Sequence, residues 1–70
     1  MPSGRTPFHM TDTERGWLDV LRTDLVPRRN EAEDALRGQI ALLRSHHVPW
    51  RHIGDALGVT PQAAQQRYGA

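Results

Sequence analysis

The fold of this chain is decided by residues 49–68, PWRHIGDALGVTPQAAQQRY. The first half of this stretch carries apolar residues at helical spacing, at Trp50, Ile53, Ala56 and Leu57. Gly58 and Val59 interrupt that pattern, and Thr60-Pro61 is typical of the start of another helix. The stretch therefore predicts two short helices that are separated by a tight turn.

Four residues of this stretch are expected to set the geometry of the turn. Gly58 follows the last apolar residue of the first helix, where a left-handed residue without a Cβ ends a helix at little steric cost. Thr60 can accept a hydrogen bond from an amide of the second helix, and Pro61 suits its first position. Gly54 lies one turn before Gly58, where the missing side chain lets the second helix cross the first closely.

The order Ile53-Gly54-x-x-Leu57-Gly58-Val59-Thr60, with Ala64 and Tyr68 beyond it, resembles the helix-turn-helix of bacterial transcription regulators. It is most similar to the promoter-reading C-terminal module of sigma factors and its small actinobacterial relatives. The resemblance covers residues 49–68 of the 70 residues, and it departs from the family in two ways. Ala64 stands where the family usually has Val or Ile, and Arg67 is the only basic residue of the last helix.

The resemblance implies that the last helix enters the major groove of double-stranded DNA, and that the helix before it contacts the phosphate backbone. Glutamine can pair with the major-groove edge of adenine, so the expected base-edge residues are Thr60, Gln62, Gln65 and Gln66. A solvated polar face is the alternative explanation for these glutamines. The expected phosphate contacts are Arg51, His52 and, as a weaker candidate, Arg44. We expect Arg67 to face the protein and to pair with Glu31 or Glu33 or complement the helix end.

The composition is that of a single small globular domain. Hydrophobic residues make up 37% and charged residues 24% of the chain, and the formal net charge is only +1. From Arg44 onward three arginines stand against Asp55 alone, a local net charge of +2. No apolar run is long enough to span a bilayer and no signal-peptide core is seen, so we expect a cytoplasmic, nucleoid-associated protein without a membrane partner.

Residues 1–10 are predicted to form a flexible arm, and residues 11–70 a single helical domain with the helix-turn-helix at 49–68. Phe8 and Met10 of the arm are expected to pack against the first helix. That helix is predicted from Asp12 to Leu25, with Thr11 and Glu14 at capping-box spacing and Val26-Pro27 as its end.

The first helix carries one apolar stripe, formed by Trp17, Leu18, Leu21 and Leu25. Two alternatives explain it: the stripe belongs to the core of the chain, or it is the surface of a homodimer. A single short DNA-binding helix gains specificity from a second copy of the protein, so a homodimer is expected. Its DNA site should then have two inverted half-sites about one helical turn apart.

A second helix is predicted from Glu31 to His46, with Asn30 as its cap, and Val48-Pro49 as its end. Its apolar stripe consists of Ala32, Leu36, Ile40 and Leu43. The resulting fold class is all-α, a four-helix helix-turn-helix domain with an N-terminal helix and a tri-helical core. Trp50 and Tyr68 are expected in that core and not as base-stacking platforms.

Other chemistry has little support in the sequence. There is no Cys, the histidines His46, His47 and His52 lack a ligand spacing, and the two serines lack an evident base, so no metal, cofactor or enzymatic activity is expected. Sequence-specific DNA binding in transcription regulation is therefore the predicted function, with RNA polymerase as a further candidate partner. The alternative is a protein-binding module, such as a polymerase adaptor or an antitoxin-like partner, that keeps the fold without reading DNA.

Overall fold

The computed structural model describes residues 8–69, which fold into four α-helices without any β-strand. The helices are α1 (Asp12–Val20), α2 (Glu33–Ser45), α3 (Trp50–Leu57) and α4 (Pro61–Tyr68). The all-α class is confirmed. None of the helices in this part of the chain has the length and apolar character needed to cross a membrane. The first seven residues of the predicted flexible arm lie outside the described residues.

Helix α1 begins with the predicted capping box. The Thr11 hydroxyl oxygen accepts a hydrogen bond from the Glu14 amide at 3.2 Å, and the Glu14 carboxylate accepts one from the Thr11 amide at 2.9 Å. Glu14 is buried, and its second carboxylate oxygen lies 3.1 Å from Nδ1 of His46. The start of α1 is thus joined to the end of α2.

The end of the first helix differs from the prediction. After Val20 the chain continues as a π-helical turn, Leu21–Leu25, and then as a 3-10 turn, Val26–Arg28. Pro27 does not break the helical path, because it lies in the first turn of the 3-10 segment, where no amide proton is needed.

The start of the second helix was also predicted incorrectly. The amides of Glu31 and Ala32 both donate to the carbonyl of Arg28, at 2.9 and 2.8 Å, and they extend the connecting turn. Helix α2 therefore begins at Glu33, after Ala32 and not after Asn30, and no side chain caps it. Asn30 is wrong as a cap because the backbone of Arg28 already satisfies the neighbouring amides.

One hydrophobic core is formed by all four helices. It contains Leu18, Leu21, Leu25, Ala32, Leu36, Ile40, Leu43, Val48, Ile53, Ala56, Leu57 and Ala64. Phe8, Met10, Trp17, Trp50 and Tyr68 are half-buried against it, and for Trp50 and Tyr68 this agrees with the predicted core position.

This core decides between the two explanations for the apolar stripe of α1 and the turn after it. Leu18, Leu21 and Leu25 are 6%, 0% and 7% exposed within a single chain, and the half-buried Trp17 packs edge-on against the ring of His46. The assignment of Leu18, Leu21 and Leu25 as a dimer surface is wrong, because their apolar area is already covered by the chain's own helices, whereas Trp17 is only half-buried.

Helices α2 and α3 both end in a turn with a left-handed residue. In the α2–α3 turn, residues 46–49, this residue is His47, whose φ is 62°. The His47 amide donates to Arg44 O at 2.9 Å and the Val48 amide to Leu43 O at 3.1 Å, which are the two hydrogen bonds of a Schellman motif. Val48 is completely buried beneath this turn.

The α3–α4 turn, residues 58–60, repeats this pattern with a glycine. Gly58 has a φ of 77°, its amide donates to Asp55 O at 3.2 Å, and the Val59 amide donates to Gly54 O at 2.9 Å. A Cβ built on Gly54 would lie 2.9 Å from Val59 O and 3.1 Å from the Pro61 nitrogen. Both glycines therefore have the predicted roles, one in the turn and the other in the close approach of the chain that leads into α4.

Candidate nucleic-acid interface

Helix α4 is held at its beginning by a side-chain cap and along its length by one small residue. The Thr60 hydroxyl oxygen accepts a hydrogen bond from the Ala63 amide at 3.1 Å, and Pro61 occupies the first turn. Ala64 is 1% exposed and Tyr68 is half-buried, so these residues face the core. The small Ala64 lets the backbone of α4 lie close to the core, and the opposite face of the helix is left to solvent.

The three glutamines of α4 are all exposed, but they do not share one direction. At 100° per residue they span an arc of about 100°, with Gln65 and Gln66 at its edges and Gln62 between them. Gln65 lines a cavity between α2, α3 and α4, and Gln66 lines a different cavity beside Arg29. Gln62 and Gln66 are therefore nearest to the centre of the exposed face.

Thr60, the fourth predicted base-edge residue, has a structural role in this fold. Its hydroxyl oxygen accepts the Ala63 amide, and the hydroxyl hydrogen is left for a further acceptor. The exposed Thr60 side chain can therefore act only as a donor, through its hydroxyl hydrogen, to a base or phosphate near the start of α4.

Arg51 and His52, the predicted phosphate contacts of α3, lie on different sides of that helix. Gly54 lies on the side of α3 that contacts the backbone of residues 59–61, where α4 begins. On a helical wheel Arg51 lies about 60° from Gly54. His52 lies about 200° from Gly54, and its ring packs against Phe8 with the ring centroids 5.9 Å apart. The structure therefore places Arg51 on the α4 side, and it separates His52 from it.

Arg44 is exposed and held in place by two contacts. Its guanidinium donates to Val48 O at 2.7 Å and lies over the Trp50 ring, 4.9 Å from the ring centroid. Five N–H groups are available on a guanidinium, so the bond to Val48 leaves most of them for an anion. Arg44 is thus a preorganised cation beside α3 and α4.

Arg67 was expected to complement the end of α4 or to pair with Glu31 or Glu33, and only its position at the helix end agrees with this. It lies in the last turn of α4, where a cation complements the helix dipole, and its guanidinium is 5.7 Å from the Tyr68 ring centroid. Glu33 instead pairs with Arg37 at 2.9 Å, and no ion pair between Arg67 and an acid is found among the described residues.

Arg37 is the residue that the sequence analysis missed. Its guanidinium lies 5.5 Å from the ring centroid of Tyr68, on the same face of α2 as Arg44. Together with Arg44, Trp50 and Gln65 it lines a cavity of about 410 Å³. The seven-residue spacing of the two arginines is visible in the sequence, but the contact with Tyr68 depends on how α4 packs.

Charge is segregated along the chain. Seven of the eight acidic residues precede Leu36, whereas four arginines and Asp55 alone follow it. Asp55 lies 3.6 Å from Arg22 of the π-helical turn. The part of the molecule built from α2 after its first turn, α3 and α4 therefore carries a net positive charge of +3, although the whole chain has only +1.

Comparisons with protein-family models, with curated proteins and with solved structures found no match for this chain. Within residues 8–69, no three His, Asp or Glu side chains are grouped so that they could hold a metal ion. The assignment of a function therefore depends on the geometry and charge of α3, α4 and the arginines beside them.

Proposed function

We propose that this protein binds double-stranded DNA through a helix-turn-helix formed by α3 and α4, and that it acts in transcription regulation. The observation that carries the proposal is the exposed face of α4, which presents glutamines and contains no acidic residue. Gln62 and Gln66 would meet base edges in the major groove, and Arg51 would contact the phosphate backbone.

The charge distribution supports the same orientation. Seven acidic residues lie before Leu36, so an approach by α1 or the connecting turns would bring carboxylates toward the phosphates. An approach by α4 brings the arginines of α2 and α3 instead. One module of this kind buries roughly 600 to 1,000 Å² on DNA, so a second copy of the protein would increase specificity. If the operator has two half-sites, the two copies have to associate through a surface other than the buried stripe of α1.

A titration of random duplex DNA at several salt concentrations tests the proposal. Because binding to phosphates releases counterions, we expect log K to fall linearly with log salt concentration, with a slope of about −0.9 for each phosphate contact. Arg51→Gln should weaken binding to all sequences, whereas Arg15→Gln, an exposed arginine of α1, should have little effect. Binding that is absent at low salt, or independent of salt, would refute DNA binding.

A selected duplex tests base reading separately. Gln62→Ala is expected to lose about 1 to 3 kcal/mol at one base position and much less at the others. An equal loss on every sequence would make Gln62 a backbone contact and remove it from the reading face.

A protein-binding module is the second candidate, and exposed apolar surface next to α4 favours it. Val59 is 43% exposed and, with Leu57 and Ala63, lines a cavity of about 320 Å³ that is bordered by Arg29 and Arg67. The apolar floor and basic border fit a partner segment with apolar and acidic residues. Duplex binding that survives Val59→Ser, which removes the apolar surface without adding charge, but is lost in Arg51→Gln would favour DNA over such a partner.

A further inference from the structure

We propose that Arg37 and Arg44 form a site for phosphate groups on the flank of α4, separate from the glutamines that point outward. The site is the cavity of about 410 Å³ between α2, α3 and α4. Its described lining residues are Arg37, Ile40, Ala41, Arg44, Trp50, Gln65, Tyr68 and Gly69, and none of these is acidic.

The two arginines are placed by the periodicity of α2. They are seven residues apart, which corresponds to two turns and about 10 Å along one face of the helix. Ala41 lies between them on the same face, and its small side chain leaves space above it. One DNA strand presents a phosphate about every 3.4 Å along the axis, so a span of about 10 Å along the axis corresponds to about three phosphate steps.

Each guanidinium is oriented by an aromatic ring. Arg44 lies 4.9 Å from the Trp50 ring centroid and Arg37 lies 5.5 Å from the Tyr68 ring centroid, both within the range of a cation–π contact. A guanidinium held over an aromatic ring keeps its N–H groups in its own plane, where they can donate to the oxygens of a phosphate. Less side-chain entropy is then lost on binding than for a freely rotating arginine.

The polar groups near the arginines include a carboxylate. Arg37 Nε lies 2.9 Å from Oε2 of Glu33, an oxygen that is buried although both side chains are partly exposed, and this pairing leaves the terminal nitrogens of Arg37 for a ligand. Gln65 adds a side-chain amide on the α4 side of the cavity. We therefore assign Gln65 to backbone binding and not to base reading.

The phosphate groups have two possible sources, the DNA backbone or a free phosphorylated compound. With DNA as the source, the inference rests on the proposed function, because α4 must lie along the duplex. With a free phosphorylated compound as the source, the inference does not depend on DNA binding. The two cases can be measured separately.

The first experiment compares salt slopes on duplex DNA. Arg37→Gln/Arg44→Gln is expected to reduce the magnitude of the slope by about 2, because two phosphate contacts are lost. The matched control, Arg15→Gln/Arg28→Gln, removes the same charge from α1 and the 3-10 turn, at residues that do not line this cavity, so its slope should stay near that of the wild type. Arg37→Gln alone leaves the hydrogen bond of Arg44 to Val48 intact and should reduce the magnitude of the slope by about 1. This single variant replaces the double variant in the experiment if the double variant does not fold.

The second experiment uses inorganic pyrophosphate and the fluorescence of Trp50 in a Trp17→Phe background. We expect a saturable change in fluorescence if free phosphate compounds occupy the site, and no change after Arg37→Gln/Arg44→Gln. Helical content measured by circular dichroism confirms that each variant is folded.

The outcomes separate the inference from the proposed function. A reduced slope in the arginine variant alone, or a pyrophosphate response that this variant loses, supports the site and identifies its ligand. Wild-type binding to DNA with equal slopes in the variant and its control, together with no pyrophosphate response, overturns the site and leaves DNA binding intact. Absence of wild-type binding to DNA refutes the proposed function, and the pyrophosphate response alone then decides the site.

Discussion

The α2–α3 turn and the α3–α4 turn have the same backbone hydrogen bonds but different side chains at matching positions. The left-handed residue is His47 in one and Gly58 in the other, and a valine follows each. Val48 is completely buried, whereas Val59 is 43% exposed. The same local motif thus forms part of the core in the first turn and part of the surface in the second.

The residue that accepts the outer hydrogen bond of each turn explains this difference. In the first turn it is Leu43, a large core residue that is 0% exposed. In the second it is Gly54, which lets the backbone between Val59 and Pro61 approach α3 closely. A large residue at this position keeps the next helix at a distance and fills the space with side chains, whereas a glycine brings the next helix into backbone contact and leaves its valine outside.

The two valines give the largest expected difference. Val48→Ala removes two fully buried methyl groups and should lower the free energy of unfolding by about 2 kcal/mol. Val59→Ala removes the same groups at the surface and should change it by less than about 0.5 kcal/mol. Urea denaturation followed by circular dichroism measures both. Equal losses in the two variants would contradict the contrast between a core turn and a surface turn.

Gly54→Ala tests whether the close approach in the second turn needs a glycine. The added Cβ would lie 2.9 Å from Val59 O and 3.1 Å from the Pro61 nitrogen, both of which are backbone atoms, so we expect a loss of about 1 to 2 kcal/mol. Gly38→Ala is the matched control: nothing lies within 4 Å of its Cβ, and a gain of about 0.5 to 1 kcal/mol is expected from helix propensity. A gain in both variants would show that α4 can move away from α3 without loss.

The two left-handed residues are expected to respond in opposite directions. Gly58→Ala places a Cβ at a φ of 77° and should lower stability by about 1 kcal/mol. His47→Gly relieves the same strain at a φ of 62°, and it should raise stability by about 0.5 kcal/mol, or about 2 to 4 °C in Tm. Thermal unfolding measures both changes. A fall in Tm for His47→Gly would mean that His47 has a stabilising contact that outweighs its backbone strain.

The smallest effect is a pH dependence at the α2–α3 turn, where Nδ1 of His46 lies 3.1 Å from the Glu14 carboxylate. The pKa of Glu14 is lowered from its usual value, chiefly by the hydrogen bond from the Thr11 amide and also by His46. A lowered pKa in the folded state stabilises the fold above the usual pKa of the carboxyl, and this stabilisation is lost as the pH falls through the lowered pKa.

We therefore expect Tm to fall between about pH 5 and about pH 2, and to fall less in Glu14→Gln, which retains the capping-box acceptor without the charge. Glu31→Gln, at an exposed acid outside this contact, should behave like the wild type. An acid-induced loss of Tm that is identical in all three proteins would assign it to other carboxylates.

The parts of the fold that could be predicted are those that depend on neighbouring residues in the chain. Thr60 with Pro61, and Thr11 with Glu14, satisfy amides within three residues of themselves, so short motifs are enough to place them. Asn30 failed as a cap because the backbone carbonyl of Arg28 already bonds the amides after it. His47 was missed because its left-handed conformation is usually taken by glycine, and no glycine is present at that turn.

The candidate site was harder to predict because its members come from separate helices. Arg51, the exposed residue at the start of α3, could be placed from the helix boundary alone. Arg37 could not, because its contact is with Tyr68, 31 residues later in the chain. His52 was grouped with Arg51 as a phosphate contact, and only the packed structure shows that its ring lies against Phe8.

The segregation of charge has a consequence for the kinetics of association. The chain carries a net charge of −2 up to Ala35 and of +3 from Leu36 onward, so we expect the folded protein to have an electric dipole moment despite its small total charge. If DNA is the ligand as proposed, its field is expected to turn the protein before contact, with α1 directed away from the duplex and α4 directed toward it. The association rate should therefore decrease with ionic strength much more steeply than that of a protein with an evenly distributed charge of +1.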